Sequence, residues 1–99
     1  NPISKGHTLV IPKIETDYFF DLDDTHLSQI MTVSKPIAAA IQKAIPCKRI
    51  GIMVAGLEVP HAHLHLVPIT ATGQLSFAFA KPAKQEDLKE TAELIRKFL

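Results

Sequence analysis

Cysteine occurs only once, at Cys47, so no internal disulfide can form and a reducing compartment suits the chain. No apolar run approaches the ~20 residues of a membrane span, and no secretion signal opens the sequence. A cytoplasmic protein without a membrane partner is expected. An excess of one charge is lacking as well: 11 Lys and Arg stand against 10 Asp and Glu, and a net charge of +1 is too weak a field to recruit nucleic acid by itself. Any anion must be held by local groups. Repeats and low-complexity tracts are missing too. There is no initiator methionine, and Asn1-Pro2-Ile3-Ser4-Lys5-Gly6 reads as a loop in mid-domain, so an upstream portion of the domain is expected. What is present, 99 residues with 46% hydrophobic content, makes one domain over residues 1–99.

Periodicity then orders the chain. His7 to Lys13 is a β-rich run with His7, Leu9 and Ile11 on one face, and Ile50 to Ala55 is a second short strand. Between them Leu27, Ile30, Met31, Ser34, Ile37, Ala38, Ile41 and Ala44 describe a helix that Asp23 or Asp24 caps, with a kink or restart expected near Ser34 because of Pro36. Pro46 ends it. Gly56 marks a turn into a third strand over residues 61–69, expected to pair antiparallel with the second. Residues 75–80 alternate Leu75, Phe77 and Phe79 with smaller residues, suggesting an extended stretch that packs loosely or against a partner, with the phenylalanines as packing residues. Residues 85–98 close the chain as a helix with Leu88, Ala92, Ile95 and Phe98 or Leu99 inward. Segregated strands and helices predict an α+β fold, an antiparallel sheet with two helices.

The chemistry is concentrated in His61-Ala62-His63-Leu64-His65-Leu66-Val67-Pro68. On a strand, this alternation projects all three imidazoles from one face at about 6.6–7 Å spacing and leaves Ala62, Leu64 and Leu66 for the core. Burying three unpartnered imidazoles would cost on the order of 1–3 kcal/mol each, a large part of a domain's stability, so the row is expected to face a site. Zinc ligation is one use, although only Glu58 lies close enough in sequence to back the ligands. Nucleophilic attack on phosphorus is the other: a neutral imidazole forms a phosphoramidate that water then hydrolyses, while its neighbours hold the phosphoryl oxygens. The central His63, supported from both sides, is favoured as nucleophile.

Together, Gly6-His7-Thr8-Leu9-Val10-Ile11-Pro12-Lys13 and the His61–Pro68 run resemble the two signatures of the histidine-triad superfamily. The resemblance implies an HIT-like fold and a nucleotide hydrolase acting at the α-phosphate of nucleoside phosphoramidates or dinucleoside polyphosphates. It gives His63 the nucleophile's role, through a nucleotidyl-histidine, and has the main-chain carbonyl of His61 orient the His63 ring. His65 and His7 would contact phosphate oxygens or the leaving group. The implied partner is a purine nucleotide, with no metal and no cofactor in the chemical step, and a homodimer follows by analogy.

Two positions depart from the pattern. Met53 and Leu57 stand where phosphoramidase-type relatives often carry Asn and Gln, and Glu58 is the residue left to take over one substrate contact. That departure motivates a second reading, a catalytically weak nucleotide-binding regulatory module. Elsewhere the plainer readings hold: His26 as a helix-end residue, Cys47 as a structural thiol, and Asp21, Asp23 and Asp24 as capping and solvated groups.

Overall fold

A computed structural model describes residues 1–57 and 59–99. It contains strand β1 (Thr8–Val10), helix α1 (Asp24–Ala44), strands β2 (Arg49–Met53) and β3 (Leu64–Ile69), and helix α2 (Gln85–Arg96), with single 3₁₀ turns at Phe19–Asp21, Thr72–Gln74 and Phe77–Phe79. The sheet is antiparallel in the order β1-β3-β2. It is the expected α+β architecture, with β3 as its central strand.

Register decides what each face carries. Leu9 and Met53 flank His65 on the two neighbouring strands, whereas Thr8 and Ile52 flank Leu66. Residues directly opposite one another share a face, so Leu64 and Leu66 look one way and His65 the other. The leucine face packs on α1 through Ile30, Ala40 and Ile41, each large buried aliphatic side chain stabilising the domain by roughly 1.5–3 kcal/mol. Both faces of β3 are covered, because Leu64 to Pro68 are all buried. The expected division into one buried and one open side therefore does not hold. The segment from residue 70 onward supplies the second cover.

Pro68 sits in a central strand, where a missing N–H usually costs a ladder bond. Here β1 pairs only as far as Leu66, leaving β2 alone beside Pro68, and the Pro68 carbonyl accepts from Ser4 Oγ at 2.9 Å. Asp23 caps α1 by accepting from the His26 N–H at 2.8 Å, and the His26 ring also bonds Asp23, which makes His26 a helix-end residue. The expected restart near Ser34 does not occur: α1 runs unbroken through Pro36. Pro36 lies on the exposed side, so the Thr32 carbonyl it deprives of a donor can bond water, while the opposite side buries Ser34 and Ile41. Met31 leaves the buried stripe for solvent. Ile45, held extended by the following Pro46, stops the helix.

Three further expectations are corrected. The first strand is shorter than residues 7–13. Residues 75–80 are not extended, because side-chain acceptors on Gln74 and Ser76 close tight turns there and compete with a ladder. The last helix ends at Arg96, and its inward stripe narrows to Ile95 with Ala92 and Leu94 half-buried, leaving Leu88 and Phe98 largely exposed.

Gly6 has φ +91°, and a Cβ there would lie 2.9 Å from Ile45 Cγ1. Both the left-handed backbone and the close approach to α1 require glycine at the residue that delivers His7. Gly6→Ala is expected to destabilise the domain by about 1–3 kcal/mol, read as a lower urea midpoint with an unchanged m-value.

Candidate active site

The third strand begins at Leu64, so His61 and His63 precede it and the triad is not a single extended row. The reason lies in the chain just before it. Ala62 N–H donates to Thr16 O at 2.6 Å, and the His61 ring bonds the Pro12 carbonyl through Nε2 at 3.0 Å. Both bonds tie residues 61–62 to the segment after β1 and away from a ladder with β2. His61 thus turns from the other imidazoles, and the ring cluster is His7, His65 and His63. Ring centroids are 5.1 Å apart for His7 and His65 and 4.8 Å for His63 and His65, closer than an ideal strand would place them.

Hydrogen bonding fixes the proton on each ring. The His63 Nδ1–H donates to the His61 carbonyl at 2.6 Å. This leaves the lone pair on His63 Nε2, the electron pair a nucleophile needs. At the other end, the Ile3 main-chain N–H donates to His7 Nδ1 at 2.9 Å. A neutral His7 then carries its hydrogen on Nε2 and donates it to His65 Nδ1 at 2.8 Å. His65 in turn must hold its hydrogen on Nε2. That atom is inaccessible to solvent and has no hydrogen-bond partner among the described residues. A buried donor without an acceptor is costly, so the enclosed Nε2–H of His65 is an unsatisfied polar group of this site.

Electrostatics keep this pair neutral. Desolvation by burial, followed by the neighbouring His7 and His63, pushes His65 down to about 4, and burial lowers His7 as well. At pH 7 His65 is therefore held neutral. Its ring is a hydrogen-bond donor to developing negative charge more than a source of protons. Unfolding restores the ordinary value of 6.5, so between pH 6.5 and about 4 the unfolded chain binds protons that the folded one refuses. Stability is full above pH 6.5 and falls on acidification, by roughly 1–2 kcal/mol from pH 7 to pH 5 on account of His65. Urea unfolding at those two pH values checks this.

Among the remaining predicted residues, Glu58 lies outside the described residues. Met53 faces His65 across the β2–β3 ladder, and Leu57 is 93% exposed. A groove of about 890 Å³ between residues 2–8, residues 79–83 and α2 reaches His7 but none of the triad histidines. Two contributors were missed in the sequence. The Ile3 N–H is a backbone group and leaves no side-chain signal; Phe77, whose ring lies 5.1 Å from that of His65, reads from sequence only as a packing residue.

Interlocked imidazoles at the head of a central antiparallel strand, one presenting a lone pair and another a hydrogen, define a histidine-triad protein. The chain belongs to the HIT domain family, whose profile matches residues 1–72. It is 31% identical to an uncharacterized 16.1 kDa HIT-like protein of Mycoplasma pneumoniae over 97% of this chain and 70% of that protein. It is 28% identical to adenosine 5'-monophosphoramidase of Saccharomyces cerevisiae over 99% of this chain and 62% of the enzyme. The crystal structure of a hypothetical histidine triad nucleotide-binding protein from Sulfolobus tokodaii superposes with a TM-score of 0.83 at 26% identity, covering 98% of this chain and 71% of that one. Across the first curated relatives it matches, the chain spans 52% to 70% of their length.

Proposed function

We propose that this protein is a nucleotide hydrolase acting at the α-phosphate of nucleoside phosphoramidates or dinucleoside polyphosphates through a covalent nucleotidyl-histidine. The observation that carries the reading is the 2.6 Å bond from His63 Nδ1–H to the His61 carbonyl, which leaves Nε2 as the nucleophilic atom. Nε2 attacks phosphorus, the new N–P bond forms, and the bond to the leaving amine or phosphate breaks, a leaving amine taking up a proton from solvent. Water then attacks the same phosphorus and gives up a proton to solvent, the N–P bond to His63 breaks, and a nucleoside monophosphate departs. Once substrate binding uncovers the enclosed His65 Nε2–H, it donates to the phosphoryl oxygen or the leaving atom on which charge collects. His7 is assigned to orienting His65, because its Nε2 is already engaged there. The similarity to a monophosphoramidase supports this substrate class. An adenine or guanine nucleotide, a homodimer and a cytoplasmic setting belong to the same proposal and rest on the family resemblance.

The test is brief mixing with adenosine 5'-phosphoramidate, a base quench and intact mass spectrometry beside His63→Ala. One nucleotidyl group on the parent protein and none on the variant is the expected outcome; adducts on both, or product without any adduct, would refute the covalent route. A second reading, nucleotide binding with negligible turnover, is favoured by Met53, which sets a thioether against His65 where a hydrogen-bonding side chain would assist the leaving group. Micromolar binding of adenosine monophosphate by a protein that turns over neither substrate class would establish it.

A further inference from the structure

Residues 70–81 form a strap over the sheet face that carries His65, and the strap is fastened at several points. Gln74 Oε1 accepts from the Thr70 N–H at 2.6 Å and from Thr70 Oγ1 at 3.2 Å, closing the first turn. Ser76 Oγ accepts from the Ala78 N–H at 3.2 Å and closes the second. Between the turns Leu75 lies over Gly51 of β2, where an added Cβ would come within 3.2 Å of Leu75 Cδ1. At the far end the Lys81 N–H donates to Pro2 O at 3.1 Å. Pro2 is the neighbour of Ile3, whose own N–H holds His7. One short stretch of main chain therefore fastens both the strap and the imidazole pair.

This fastening places Phe77 against His65, with centroids 5.1 Å apart and planes inclined at 75°. The Phe77 side chain is nevertheless poorly used as a core residue, since the residue is 46% exposed. Three rings surround that imidazole, and two of them, His7 and His63, bring nitrogen. Phe77 is the apolar wall. On the remaining sides, at the paired positions, β1 presents Leu9 and β2 presents Met53, so among the described residues the titratable groups facing His65 are His7 and His63.

We infer that Phe77 is a positioning residue of this site, its ring excluding water from His65 and holding that imidazole in the orientation and tautomer in which Nδ1 accepts from His7 and Nε2 carries the hydrogen. This rests on the proposed roles of His63 and His65. Removing the phenyl ring lets water reach His65, stabilises its charged form, and frees the ring to turn away from His7. Nothing in the main-chain scaffold is lost, because the bonds that fasten the strap run through main-chain atoms, the Phe77 carbonyl among them, and through the side chains of Gln74 and Ser76.

The experiment is a histidine-selective NMR titration, reading the ring nitrogen shifts of His65 in the parent, Phe77→Ala and Phe77→Leu, alongside kcat/KM against pH with adenosine 5'-phosphoramidate. In Phe77→Ala the His65 midpoint is expected to rise by about one pH unit or more, signal from the Nδ1–H tautomer to appear, and kcat/KM at pH 7 to fall about tenfold, with the acid limb moved upward. Phe77→Leu restores most of the midpoint, and both variants keep the parental unfolding midpoint within a few degrees. An unchanged His65 titration and tautomer in Phe77→Ala would overturn the inference, whatever happens to turnover. A shifted titration in a protein whose parent form turns over nothing would uphold the contact and overturn the hydrolase reading instead.

Discussion

His63→Ala is expected to lower turnover of adenosine 5'-phosphoramidate by about 10³-fold or more under the proposed mechanism. The magnitude follows from what the alanine removes. The nucleophile is lost outright, and water must attack phosphorus directly, with only the His65 donor and substrate binding left to assist. Binding is expected to change much less, since the alanine leaves the rest of the proposed site in place. The comparison is therefore kcat against the Kd of adenosine monophosphate: a collapse of the first with a change of less than about tenfold in the second. His63→Gln should behave like the alanine, because an amide fills some of the space without offering a nucleophilic lone pair on nitrogen. Full turnover in either variant would move the chemistry to another residue.

Leu64→Ala is expected to cost about 2–5 kcal/mol. Leu64 is 1% exposed and belongs to the cluster that joins β3 to α1. Truncation removes its transfer free energy and leaves a void between two elements that cannot easily close it, since β3 is held by strands on both sides. Against a total stability of about 5–15 kcal/mol, this takes a large share. For a domain of this size the thermal midpoint should drop by roughly 10–25 °C. Leu64→Met, which nearly conserves volume, should cost under about 1.5 kcal/mol. Because Leu64 stands between His63 and His65 in the chain, the alanine variant also tests how firmly the sheet must be seated for the imidazoles to stay in contact. Residual activity at 10 °C, where the variant is still folded, reads that directly.

Much of this architecture is legible in the residues. Alternation in Leu64, Leu66 and their neighbours gives β3, helical spacing from Leu27 to Ala44 gives α1, and Asp23 marks its start. The family signature correctly assigns the His61 carbonyl to the His63 ring. What is hidden depends on long-range main-chain bonds. Nothing near His61 announces that Ala62 will bond Thr16 and delay the strand to Leu64. The strap is hidden for a related reason: the alternation of Leu75, Phe77 and Phe79 has the period of a strand, yet Gln74 and Ser76 satisfy the backbone locally first. Pro36 shows the opposite limit, where a strong local signal for a break is overridden because it faces water.

The anchor of His7 is a peptide N–H, that of Ile3. Such a group has no ionisation within reach of biological pH, and every residue except proline supplies it. The polarity of the His7–His65 pair, which ring gives and which receives, is therefore a property of the chain's path and insensitive to ordinary side-chain exchange at that point. Valine or leucine at position 3 would leave the direction of the proton array intact, whereas proline would erase it, freeing His7 to reverse and leaving His65 to present a bare lone pair where a hydrogen is needed.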